Sequence, residues 1–270
     1  MIKLNLGGMD DESINRNNRH KKDCEKRIKG LKGVSRYIPN QHGAWAMLIL
    51  PFLFGLAASR GELIHIPLFV CWFFIYLFSF PVLQWIKTGS SERYRKPAVV
   101  YGVILLPLLI SLIWFEPALI WYGVLLLLFF MANIYFAKTK NERALLNDIV
   151  AILLFCSFIY PVIYMGGGED WRVATELFLL LVLYFIGTAL YVKTIIRERK
   201  NIRYHYASII YHLVILLFAT WLKLPLFVPF LIFLIRAIWL PKLGLKAKQV
   251  GMAEIGFSMM LYVFVLFLYF

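Results

Sequence analysis

From residue 43 onward the chain is a succession of long apolar runs with few charges, at about 43–58, 64–86, 98–114, 117–137, 144–165, 174–196, 204–221, 224–240 and 250–269. About 20 consecutive apolar residues form a helix long enough to cross the hydrocarbon core of a bilayer. Within that core every backbone N–H and C=O must be paired inside the segment, which selects helices. A transmembrane barrel needs ten-residue strands of alternating hydropathy, and these runs are continuous. Composition agrees: 61% of the 270 residues are hydrophobic, against about 45–50% in soluble domains. The expected fold is an all-α polytopic membrane protein, with nine transmembrane helices over residues 37–270. The first run is short and reads as starting within the headgroup layer.

Residues 1–36 are of a different kind. They are polar and basic, with no apolar segment of the sort a cleavable signal peptide carries. They read as a disordered cytoplasmic tail, with a short basic surface helix near 22–33 as the alternative. Net charge is +14, and its placement is one-sided. With nine spans, one side of the membrane holds ten Lys and Arg in the tail, four near 87–96, three near 138–143, five near 193–203 and four near 236–248. The other side holds Arg60, Arg172 and Lys223. Basic residues in short loops mark the cytoplasmic face, so the N-terminus is expected inside and Phe270 outside. The basic excess then reports topology and attraction to anionic lipid. The expected partners are the bilayer and its anionic lipids, not nucleic acid.

Cys24, Cys71 and Cys156 are scattered, with no metal-ligand spacing, and the two within spans read as packing residues. The Gly166–Gly168 triplet precedes Glu169 and Asp170 in an outer loop and lacks the strand-to-helix setting of a phosphate loop.

Polar residues within spans are costly and mark candidate sites. Here they gather at the cytoplasmic ends. In "PNQHGAW" (39–45), Asn40 suits an N-cap after Pro39. His42 beside a helix start can hold an anion, or the stretch can simply cap and anchor the helix. Lys193 and Arg197, four apart, share a helical face. His205 and His212 follow, seven apart, a spacing that disfavours a shared metal. Asp148 and Glu254 lie in the first turns of inward-starting helices, where the helix dipole favours an acid. They serve there as dipole partners, or pair with Lys193, Arg197 or Arg236 around a polar cavity. The ligand-binding candidates are thus Asn40, His42, Arg93, Arg95, Lys193 and Arg197. The acid–base candidates are His212, His205, Asp148 and Glu254. No metal ligand and no cofactor is expected.

"PNQHGAWAML" (39–48) and "YVKTIIRERKN" (191–201) resemble the YwiC-like family of bacterial membrane proteins, over nearly all of residues 37–270. That resemblance implies a bacterial plasma-membrane location. A more distant likeness is to the UbiA prenyltransferase superfamily. "SSERYRKP" (90–97), "KTKNERALLND" (138–148) and "LYVKTIIRERKN" (190–201) are similar to its basic turns and to the end of its sixth helix. The likeness implies a nine-helix bundle with a central cavity opening to the cytoplasm. Those enzymes hold Mg²⁺ and a prenyl diphosphate through aspartate-rich motifs. The corresponding Ser79–Lys87 and Gly187–Ile196 carry no carboxylate here, and hard cations need oxygen clusters. What the likeness implies is the fold and the cavity, with Lys and Arg in place of metal.

The functional expectation is a cytoplasm-facing basic cavity for an anionic amphiphile, of isoprenoid, quinone-precursor or haem-like type. It would act as a metal-independent transferase-like protein. The alternatives are a non-catalytic membrane assembly factor and a small-molecule transporter.

Overall fold

The computed structural model describes Tyr37, residues 42–141 and residues 143–270, with His42 as backbone only. The expected tail, like Asn40, lies outside the described residues. The helical unit covers Gln41–Phe270. Its helices are α1 (His42–Ala57), α2 (His65–Thr88), α3 (Ser91–Phe115), α4 (Leu119–Lys138), α5 (Leu145–Cys156), α6 (Ile159–Met165), α7 (Trp171–Ile196), α8 (Ile202–Leu222), α9 (Phe227–Trp239) and α10 (Ala247–Tyr269). Short 3₁₀ turns at Leu224–Leu226 and Leu240–Leu243 extend α9 at both ends. No strand occurs among the described residues.

Eight segments are long and apolar enough to cross a membrane, α5 with α6 counting as one and α9 with its 3₁₀ turns as another. The chain is a multi-pass membrane protein. The ninth apolar helix, α1, has 16 residues. At 1.5 Å per residue it is about 24 Å long, short of the roughly 30 Å core. Several helices extend beyond their apolar runs. The basic stretch 91–97 is the first turns of α3, not a loop, because helical pairing continues through the interface.

The run 144–165, expected as one continuous helix, is broken at Ser157–Phe158. The cause is Pro161. A helical proline has no N–H to give and its ring crowds the carbonyl four residues back, here that of Ser157. The Ser157 carbonyl instead accepts the Tyr160 N–H at 3.2 Å. Ser157 Oγ turns back to the Leu153 carbonyl at 2.6 Å. Phe158, at the break, stacks on Trp72 of α2 with ring centroids 4.1 Å apart.

α7 is the hub. It packs against α1, α5, α6, α8 and α10. The main apolar core runs along it through Leu177, Leu180, Leu181 and Phe185, and takes in Leu50 and Phe54 of α1, Ile152 and Cys156 of α5, and Phe230 and Phe233 of α9. Cys156, within this packing, and Cys71 of α2 are both buried free thiols. Close approach is set by small residues. A Cβ on Gly55 of α1 would lie 2.7 Å from Val162 of α6. The glycine triplet does similar work, since a Cβ on Gly166 would meet Ser59 at 2.5 Å and one on Gly168 would meet Ile163 at 2.7 Å. It is a packing device at the end of α1.

Candidate functional site

Tyr184, Gly187, Thr188 and Tyr191 fall at i, i+3, i+4 and i+7 on α7, one face of the helix. Three other helices bring polar groups to that face: α8 with His212, α9 with Arg236, and α10 with Glu254 and Ser258. All of these but Gly187 and Tyr184 are polar side chains that bury more than nine-tenths of their surface, and Tyr184 is buried too.

The centre is an ion pair. Arg236 Nη1 donates to Glu254 Oε2 at 2.7 Å. Arg236 Nη2 donates to Thr188 Oγ1 at 3.3 Å, and Thr188 Oγ1 donates onward to Glu254 Oε2 at 3.3 Å. The Tyr191 hydroxyl donates to Glu254 Oε1 at 2.5 Å. Both carboxylate oxygens are therefore engaged. The guanidinium is wrapped by aromatic rings: Tyr191 at 4.5 Å, Phe233 at 4.9 Å, Phe257 at 5.0 Å and Tyr184 at 5.5 Å from Cζ to centroid. Buried charges persist only when paired and hydrogen-bonded, and ring faces add attraction for the cation. One residue along α7, Gly187 lets His212 approach, for a Cβ there would sit 3.1 Å from His212 Nε2. His212 Nδ1 lies 2.7 Å from the Ser208 carbonyl. A carbonyl only accepts, so Nδ1 carries a proton. Nε2 is buried and has no hydrogen-bond partner, as are Ser208 Oγ and Arg236 Nε.

A second pair lies nearer the end of α7. Lys193 Nζ is 2.5 Å from Asp148 Oδ2 of α5 and donates to the Arg143 carbonyl at 2.9 Å. Its ammonium is thus held within the bundle, and it ties α7 to α5 where an open headgroup clamp was expected of it. Asp148 and Glu254 are likewise engaged by cations.

The other sequence candidates separate. Arg197 is exposed at the end of α7. His205 is half-buried on α8 beside the Tyr206 ring. Arg93 and Arg95 are exposed on the first turns of α3, a helix that packs on α2 and α4. His42 opens α1, and its side chain lies outside the described residues. Thr188, Tyr184, Tyr191 and Ser258 were missed by the sequence reading, although their spacing on α7 was visible. So was His65, which is buried at the start of α2. Its Nε2 donates to the Val162 carbonyl of α6 at 3.0 Å, while its Nδ1 accepts the Glu62 N–H at 3.0 Å. No group of three or more His, Cys, Asp or Glu suited to a metal occurs among the described residues.

At the same end of α7 two basic turns meet. Arg199 Nη2 lies where a Cβ on Gly244 would come within 3.1 Å. This brings the turn with Arg197, Arg199, Lys200 and Arg203 against the turn with Lys242 and Lys246. The first turn forms an open concavity of about 750 Å³. Its acid, Glu198, accepts from Asn201 Nδ2 at 3.0 Å.

Residues 38–164 match the family described as YwiC-like protein. The chain is 45% identical over 180 residues to the uncharacterized protein YwiC of Bacillus subtilis (strain 168), covering 66% of this chain and 74% of the relative. It is 35% identical over 230 residues to an uncharacterized protein of Haemophilus influenzae, covering 85% of this chain and 97% of the relative. No solved structure matches it. With a relative at 35% identity matched over almost its whole length, and the family's own pattern found from α1 to α6, the chain belongs to the YwiC-like protein family.

Proposed function

We propose that this chain is a membrane-embedded binding protein for an anionic, isoprenoid-type amphiphile, built as a nine-span bundle of UbiA type with its N-terminus inside. The amphiphile's head is taken at the cytoplasmic face. The observation that carries this reading is the meeting of the turns at 197–203 and 242–246. Arg197, Arg199, Lys200 and Arg203 line a concavity whose acid, Glu198, already accepts from Asn201, and the turn with Lys242 and Lys246 adjoins it through Gly244. Exposed Ile202 and Leu243 lie beside them, so apolar and cationic surfaces adjoin as an amphiphile requires. Lys193 acts indirectly, by fixing the end of α7 through Asp148. His205, one turn into α8, is the acid–base candidate nearest the turn if the role extends to transferase-like chemistry. A non-catalytic assembly factor would use the same binding site.

The test is affinity for geranylgeranyl monophosphate and for geranylgeraniol, with the protein in phosphatidylcholine nanodiscs. Each charge-assisted hydrogen bond to the head is worth about 1.5–3 kcal/mol. Arg199→Gln or Arg203→Gln should therefore weaken the phosphate about tenfold and leave the alcohol unchanged. Equal affinity of the wild-type protein for the two compounds would remove the reading.

A small-molecule transporter is the second reading. Its specific support is the polar layer of Thr188, His212, Arg236 and Glu254, which lies inside the spans. Proteoliposomes with an entrapped pH dye separate the two, since a proton-coupled transporter dissipates an imposed gradient and a binding protein leaves it standing.

A further inference from the structure

A second membrane-facing feature lies on a different helix pair. α2 and α3 run antiparallel from the turn at Gly89, whose φ of +64° reverses the chain. Near that turn an open groove of about 840 Å³ lies between them. Phe78, Val82, Trp85 and Ile86 form one wall, while Val99, Gly102 and Val103 form most of the other. The α3 wall follows a single helical stripe, 98, 99, 102, 103 and 106. Gly102 leaves the floor open, since a Cβ there would meet only the Phe78 ring, at 3.4 Å.

The same stripe, continued one turn toward the start of α3, arrives at Arg95. Arg95 is exposed and, among the described residues, has no ion-pair partner. Lys96 and Arg93 flank it, and Glu92 is the acid of that turn. Trp85, a residue suited to the headgroup boundary, sits at the groove's end beside the turn. From Val99 to Leu106 the groove is about 10 Å long at the helical rise. That is about a third of a hydrocarbon core of roughly 30 Å, so it can hold the part of a chain next to the head.

We propose that the α2–α3 groove is a retention site for one acyl chain of an anionic membrane phospholipid, with Arg95 meeting its phosphate. Neither half of the site suffices alone. The apolar groove accepts any lipid tail, and an exposed arginine attracts any anion. What selects the occupant is their register, a cation placed one helical turn beyond the end of an apolar channel. Such a site discriminates by head charge, because a lipid whose tail lies in the groove has its head held beside the cation. The site is separate from the one proposed at the turns 197–203 and 242–246, and it stands or falls independently.

The experiment is native mass spectrometry of the full chain, exchanged into an equimolar mixture of phosphatidylglycerol and phosphatidylcholine, with retained lipid counted per protein. Wild-type protein is expected to retain phosphatidylglycerol about tenfold over phosphatidylcholine in its tightest-held equivalent. Arg95→Gln should bring that ratio close to one while one lipid is still held. Gly102→Leu, which fills the floor, should remove that equivalent of either lipid. Circular dichroism and melting temperature of both variants should match the wild type, since Arg95 is exposed and a Cβ at Gly102 meets only the Phe78 ring, at van der Waals distance. Lys138→Gln, at the end of α4, controls for general loss of charge and should leave the ratio unchanged. No head preference in the wild type, a preference that survives Arg95→Gln, an unchanged lipid count in Gly102→Leu, or an equal effect of Lys138→Gln would each overturn the proposal.

Discussion

The α2–α4 side and the α7–α10 side of this molecule are both helical and both apolar, yet they are held together differently. In α7, 56% of the apolar window is buried within the protein, against 22% for α3 and 11% for α4. α4 buries only its ends, at Leu119 and Ala137. No residue of α2, α3 or α4 enters the core cluster around α7. The polar layer lies wholly on the α7 side. In lipid, apolar side chains gain little by leaving the tails for a neighbouring helix, so association depends on close packing and on polar contacts between helices. The α7 side has both. The α3–α4 side has a short connection, one groove and a surface left to lipid.

This contrast can be broken, starting where it is strongest. Glu254→Ala leaves the Arg236 guanidinium buried without its counter-ion, a change that costs about 3–5 kcal/mol. The protein should lose its monodisperse folded peak or melt far lower in detergent. The double variant Arg236→Met, Glu254→Leu removes both charges and should recover most of that loss, because a buried pair is often replaceable by apolar residues of similar volume. Failure of the double variant to recover would mean that the layer does more than hold helices together.

Gly55→Leu comes next. Its Cβ would stand 2.7 Å from Val162, and overpacking of this kind costs about 1–3 kcal/mol. Gly123→Leu on α4, where nothing lies within 4 Å, is its partner across the comparison and should leave the melting temperature near wild type. Lys193→Ala should be similar in size or smaller, since it breaks a charge-assisted pair worth about 1.5–3 kcal/mol with an Asp148 that keeps some exposure. A pulldown of the α5–α7 contact by disulfide trapping between engineered cysteines would report its loosening. The smallest effect belongs to Leu127→Ala. That side chain is exposed on α4, and a change away from packed features stays within about 0.5 kcal/mol. A large loss there would show that α4 meets protein where lipid is inferred.

Much of this was readable beforehand, and the reasons for the gaps are physical. The spans follow from run length, since lipid forbids other solutions. The pairing of Asp148 and Glu254 with cations was one of two open readings, because a first-turn acid satisfies the helix dipole whether or not a partner arrives. The α7 face was missed for another reason. Tyr184, Thr188 and Tyr191 pass as ordinary residues of an apolar run, and only the fold reveals that Glu254, 66 positions after Thr188, completes them. The break at Ser157 was legible in principle from Pro161, but hydropathy alone does not register a missing N–H. Lys193 could be read as a headgroup clamp or as a partner of Asp148, because that acid lies 45 residues earlier on another helix and only the fold brings the two together.

The contact between His65 and the Val162 carbonyl bears on how the molecule is made. A membrane chain is delivered from its N-terminus, and 97 residues separate these two. His65 is thus synthesised well before the broken segment to which it donates. The last turns of that span, weakened by Pro161, arrive at a donor that is already present. A chain whose α2 was supplied late, by rearranging the coding order, would have to complete α6 without that donor.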